Sequence, residues 1–133
     1  MESQRILRSE KGFTLIEIIS VLVLIGILAA VAVPKFIDLQ VDAKNKAAEA
    51  AVSEGIAQVN LYSAKYILQN SVVPGDLADL TGMTNGLVDP YTDGDFSIDF
   101  ADGAAGEIDI TASGVVGSNV DGATASGTAY IPN

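Results

Sequence analysis

Lys11-Gly12-Phe13-Thr14-Leu15-Ile16-Glu17 opens an apolar run that continues to Val33, interrupted only by Thr14, Glu17, Ser20 and Gly26. At about 1.5 Å per residue a helix over 13–33 is long enough to cross a hydrocarbon core of roughly 30 Å. Glu17 stands out in that run. A carboxylate deep in a membrane costs about 2.5 to 3.5 kcal/mol, so it needs a partner or a place near the interface, and Glu17 lies one helical turn from the start. Gly12 has no Cβ, so its backbone adopts conformations that other residues avoid. Before it, Arg5, Arg8 and Lys11 outweigh Glu2 and Glu10, a bias that keeps the leader on the cytoplasmic side and sends the rest of the chain outward.

Working outward, Pro34 lacks a backbone N–H and leaves the Ala30 carbonyl without its intrahelical donor, which predicts a bend in a continuing helix. Gly26 lowers helix propensity one to two turns earlier, so Gly26 to Pro34 is the weak interval. Beyond Pro34 the pattern becomes amphipathic. Val52, Ile56, Val59 and Tyr66 fall on one face at spacings near 3.6, and Ala57, Leu61, Ala64 and Leu68 form a second. The first stripe is expected to meet the chain's own sheet and the second a neighbouring helix, though one wide core stripe fits the same pattern. Asp42 and Lys46 form an i,i+4 pair with the acid N-terminal. Val73-Pro74-Gly75-Asp76 carries the turn signal that ends the stem.

Past Pro74 the period changes to two. Phe96, Ile98 and Phe100 alternate with Ser97 and Asp99, and Ile108 and Ile110 alternate with Asp109 and Thr111, which predicts two half-buried strands joined through Asp102-Gly103-Ala104-Ala105-Gly106. Further strands are expected near Val115-Val116 and over Ala129 to Ile131, with Asp121-Gly122 as a turn. The fold class is therefore α+β: a long N-terminal helix, membrane-spanning in its first half and amphipathic in its second, packed on a small antiparallel β-sheet head. The expected divisions are a leader over 1–12, a hydrophobic helix over 13–33, an amphipathic stem over 34–72 and an acidic β head over 73–133.

The order of short charged leader, Gly12, Phe13-Thr14-Leu15-Ile16-Glu17 and an unbroken hydrophobic helix ending near Pro34-Lys35-Phe36 resembles the class III signal of type IV pilins and of the pseudopilins of type II secretion. The resemblance covers about the first 45 residues and no more. It implies cleavage between Gly12 and Phe13 by a prepilin peptidase, N-methylation of Phe13, and release of a subunit that pilus assembly machinery packs into a homo-oligomeric filament. Glu17 would pair with the N-terminal amine of a neighbouring subunit, and the helix between Gly26 and Pro34 would unwind in the fibre. The implied location is the inner membrane before assembly and an extracellular pilus afterwards. Three alternatives stay open. One is a pseudopilin; another is a soluble secreted binding protein, because Ala30-Val31-Ala32 also matches an ordinary signal-peptidase site; the third is a plain single-span anchor in which Glu17 is incidental.

Composition limits the chemistry. The chain has 133 residues, no cysteine, no histidine and no tryptophan. No disulfide can staple the head, which departs from the C-terminal disulfide loop of many pilins, and the usual base of a catalytic triad and the commonest zinc ligand are missing. A structural role without catalysis is expected. All Lys and Arg lie at or before Lys65, while Asp76, Asp79, Asp89, Asp93, Asp95, Asp99, Asp102, Glu107, Asp109 and Asp121 follow unopposed. So acidic a head repels phosphate backbones, and direct nucleic-acid binding is not expected. Asp89, Asp93, Asp95 and Asp102 sit among glycines and are the candidate calcium ligands, although no complete EF-hand pattern is present and solvated turn aspartates are the more ordinary explanation.

Overall fold

The computed structural model describes residues 12–131, so the leader assigned to 1–12 lies outside the described residues except for Gly12. Helix α1 runs from Leu15 to Asn70. Its start is capped by Thr14: the Thr14 carbonyl accepts from the Glu17 and Ile18 amides at 3.1 and 3.2 Å, and Thr14 Oγ1 accepts from the Glu17 amide at 3.3 Å. The Glu17 amide, one of the first-turn donors that lack an i−4 partner inside the helix, is thus shared between the carbonyl and the hydroxyl of Thr14. The helix passes through Gly26 and Pro34 without a break. It stops where Ser71 turns left-handed (φ 57°) and donates its amide to the Ile67 carbonyl at 2.8 Å, a few residues before Pro74.

The chain divides into two compact units, 1–38 and 39–133. In the first, every described residue is exposed, including Phe13 (78%) and Leu28 (69%). The second holds the rest of α1, a short helix α2 (Leu77–Thr81) and four strands: β1 (Tyr91–Asp93), β2 (Phe96–Asp102), β3 (Glu107–Gly114) and β4 (Thr124–Tyr130). The strands form one antiparallel sheet in the order β1-β2-β3-β4, with Ile98 opposite Ala112 and Ile110 opposite Gly127. Because side chains alternate, Ile98, Phe100, Ile108, Ile110, Ala112 and Ala129 all face one side. That side receives Val52 and Val59 from α1, with Ile56 and Tyr66 packed at its margin, so the first stripe meets the sheet as its spacing requires. Ala57, Leu61, Ala64 and Leu68 are exposed.

Three residues outside the stripe complete the buried face of α1: Ala48, Gly55 and Ser63. At Gly55 an added Cβ would stand 2.8 Å from Ile110 Cγ2 and 3.0 Å from Ile98 Cγ2, so the absence of a side chain is what lets the helix approach the sheet this closely. The β2–β3 hairpin is the one predicted. Gly103 donates to the Glu107 carbonyl at 3.0 Å, and Gly106 takes a φ of +81° that other residues avoid.

Three expectations are corrected. Val115 and Val116 are not a strand: β3 ends at Gly114, and the two valines form an exposed turn because Val115 donates to the Asp95 carbonyl and then reverses through Ser118. The last strand is longer than Ala129 to Ile131 and begins at Thr124. Lys46 pairs with Glu49 at 2.7 Å instead of Asp42, since i+3 and i−4 carboxylates are both within reach and the ammonium closes one of them. Both partners are exposed, so the pair is worth about 0.2 to 1 kcal/mol at most. Helix α2 and strand β1 lie beyond what the sequence pattern predicts.

Candidate processing and assembly site

Gly12 and Phe13 precede the first turn of α1 in irregular backbone, and both are exposed, with nothing within 4 Å of where a Cβ on Gly12 would lie. The bond between them is therefore presented to solvent immediately before a rigid helix. Thr14 sets that boundary. Together Thr14 and Glu17 have the spacing of a capping box, in which the hydroxyl serves the amide of the residue three positions on. Glu17 lies in the first turn, where a carboxylate is favoured by the positive end of the helix dipole. The Thr14-x-x-Glu17 spacing is legible in the sequence, and the capping part of Glu17's environment is what a reading centred on membrane cost overlooks.

Past Glu17 the helix is apolar all round and uncovered: Leu22, Leu24, Ile25, Ile27 and Val31 are each more than half exposed. A helix with no polar face finds its partner in lipid or in other apolar helices. Among the described residues, one helix is long and apolar enough to cross a membrane, and it is α1.

The four aspartates singled out as possible calcium ligands are not gathered. Asp89 Oδ1 accepts from the Phe100 amide at 3.1 Å, at the edge of β2 beyond the end of short β1. Asp102 Oδ1 accepts from the Leu77 amide at 2.8 Å and so serves the N-terminus of α2. Asp93 and Asp95 flank Gly94 in the exposed β1–β2 turn. Among the described residues no group of three or more carboxylates is placed to hold one ion. The start of α2 is further fixed by Asp76, whose side chain accepts from the Asp79 amide at 3.1 Å, and by Asp79, which accepts from the Gly75 amide at 2.7 Å.

An open hollow of about 360 Å³ lies beside α2, lined by Tyr66, Gln69, Asn70, Asp79, Met83 and Thr84. Partial burial raises the pKa of the Tyr66 phenol, and its hydrogen bond to Asp79 and the charges of Asp79 and Asp76 add to that effect. Lys65 anchors the following loop: its ammonium donates to the Thr84 and Asn85 carbonyls and lies 5.2 Å from the centre of the Tyr62 ring. These contacts tie a loop to the stem.

The prokaryotic N-terminal methylation motif matches residues 7–33, the segment that contains the exposed Gly12–Phe13 bond, the Thr14 cap, Glu17 and the bare apolar helix. Over this segment the chain is similar to the N-terminal signal of type IV pilins. Among pilin-family relatives, the chain is 48% identical over 59 residues to the type IV narrow pilus major component PilA5 of Thermus thermophilus, covering 43% of this chain and 51% of that protein. It is 42% identical over 60 residues to fimbrial proteins of Pseudomonas aeruginosa, covering 37% of this chain and 39% of theirs. The chain thus spans about half or less of the length of the curated relatives it matches. No solved structure matches it.

Proposed function

We propose that this chain is a structural subunit that polymerises into a type IV pilus fibre. The observation that carries the reading is the methylation motif over 7–33, placed on a helix that begins just after an exposed Gly12–Phe13 bond and that has no covering of its own. A prepilin peptidase removes the leader through Gly12, the new Phe13 amine is methylated, and the subunit waits in the inner membrane with its acidic head outside. Assembly machinery then draws the apolar helices of many copies together as the core of a surface fibre. Packing against neighbours takes the exposed residues from Phe13 to Val33 out of lipid, and the second stem stripe of Ala57, Leu61, Ala64 and Leu68 has the same use.

Glu17 is the only acidic residue between Phe13 and Pro34. A carboxylate and a terminal amine are each costly in a low-dielectric core, and joining them between subunits relieves both and fixes register. The test is to express Glu17→Val as the sole copy, establish the mature N-terminus by mass, and count sheared fibres by electron microscopy. The expected result is a chain that starts at methylated Phe13 and forms few or no fibres. A mature N-terminus at Val33 would overturn the reading in favour of ordinary secretion, and normal fibres would remove Glu17 from assembly.

A further inference from the structure

The two edges of the head sheet are finished differently. Backbone bonds from the Gly114 amide to the Ala123 carbonyl and from the Ile131 amide to the Gly106 carbonyl, both 2.9 Å, set the phase of the β3–β4 ladder. Ala125, Gly127 and Ala129 direct their amides and carbonyls toward β3, because bonded pairs alternate along an antiparallel ladder. Thr124, Ser126, Thr128 and Tyr130 direct theirs outward, and among the described residues no further strand pairs with them. At the other edge, bonds from Val115 to Asp95 (2.8 Å) and from Gly103 to Glu107 (3.0 Å) set the phase of β2, which leaves Thr92 as the only β1 residue facing outward. Pro90 precedes that strand, and the Phe100 amide beyond it is taken by Asp89. The β1 edge is closed by a short strand, a proline and a side-chain cap; among the described residues of the β4 edge there is none of these devices, and Pro132 follows only past its end.

Charge follows the same division. No charged residue lies between Gly122 and Asn133, although carboxylates are spread through the head from Asp76 to Asp121. The β4 edge is thus a place where two acidic heads can meet without opposing carboxylates. We propose that it is a self-pairing surface whose partner is the β4 edge of a second copy, antiparallel about Gly127.

That register sets Thr124 against Tyr130 of the second copy and Ser126 against its Thr128, so every outward amide and carbonyl of the edge finds a partner. Asp109 and Glu107, one strand in, are then three strand spacings from their counterparts, roughly 14 Å. This exceeds a Debye length of about 8 Å at physiological salt, so the heads' like charge does not prevent the contact. The two-fold axis is perpendicular to the sheet, and the stem helices packed on the two sheets run in opposite directions. Such a pair cannot be two neighbours along one polar fibre. It suits heads carried on separate fibres, and that part of the inference rests on the fibre reading above.

The chain has no cysteine, which gives cross-linking a clean background. Full-length chains carrying Ser126→Cys and Thr128→Cys are mixed in detergent, where subunits are free to meet in any orientation, and mildly oxidised. Directly opposed residues in the proposed register have Cα atoms about 5.5 Å apart, within disulfide reach, whereas identical residues lie about 7 to 8 Å apart on the diagonal. The mixture is expected to give several-fold more disulfide dimer than either variant alone or than Asp99→Cys, which stands on the same solvent face of β2. A mixture no better than Asp99→Cys overturns the proposal. Ser126→Lys supplies a second readout against the parent: lateral bundles of parent fibres that are lost at normal fibre number and length support it, and unbundled parent fibres or unchanged bundles refute the fibre contact. Should the parent chain form no fibres, the fibre reading fails while the detergent result still decides the pairing.

Discussion

Gly55→Ala tests the closest approach in the head. The substitution has two gains: about 1 kcal/mol of helix propensity and about 0.8 kcal/mol for burying a methyl group. Against them stands overpacking. The new Cβ would lie 2.8 Å from Ile110 Cγ2 and 3.0 Å from Ile98 Cγ2, and both isoleucines are fully buried. They are β-branched, with few χ1 alternatives, so neither methyl can swing aside. The relief left is to lift α1 from the sheet by several tenths of an ångström, which loosens Val52 and Val59 as well. Overpacking of this kind costs about 1 to 3 kcal/mol, and two simultaneous rigid contacts plus the loosened neighbours belong at or above the top of that range.

The expected net loss is about 1 to 2 kcal/mol, or roughly 4 to 8 °C in melting temperature for each kcal/mol in a unit of this size. The assay is urea unfolding of the fragment from Leu39 to Asn133 with and without the substitution. Ile110→Leu moves the branch away from Cβ and removes the Cγ2 methyl that the new Cβ would strike, so a cycle of the two changes should show a favourable coupling of about 0.5 kcal/mol or more. Ala57→Gly, on the exposed side of the same helix, isolates the propensity difference and should cost about 1 kcal/mol. A Gly55→Ala head as stable as the parent, or more so, would refute the packing argument.

Ser63 is fully buried and its Oγ has no hydrogen-bond partner, so Ser63→Ala should raise stability by about 1 kcal/mol in the same urea assay. Asp89→Ala and Asp102→Ala should each cost about 1 kcal/mol by freeing the Phe100 and Leu77 amides, while Asp93→Ala should change the urea midpoint little. The Tyr66 phenol is held above its usual 10.0, first by burial and then by Asp79 and Asp76. A group raised on folding contributes stability that is complete below its unfolded value and lost as pH rises through the folded one. Urea midpoints should therefore fall more steeply above about pH 10 for the parent than for Tyr66→Phe.

The parts of the molecule that the sequence discloses are those whose partners are near in the chain. The period of 3.6 in Val52, Ile56 and Val59 and the period of two in Phe96 to Phe100 report which side of an element is buried without naming what buries it. The start of α1 reads more fully still, because the Thr14 hydroxyl and the Glu17 amide it caps lie within one helical turn. What could not be read depends on distant partners. Asp102 is a turn residue by composition and becomes a cap only because α2 is folded against the hairpin, and Tyr91 to Asp93 is too short to alternate visibly and exists as a strand only by pairing with β2. Gly55 is the clearest case. In sequence it is a helix-weakening residue in the middle of a stem, and only Ile98 and Ile110, brought opposite it from two strands, make a missing side chain the condition for the helix to reach the sheet. The same dependence explains why the open β4 edge escapes a sequence reading: Thr124 to Tyr130 is hydroxylated, small and uncharged, with no strong strand period, and its character appears once the ladder phase shows which amides are left outside.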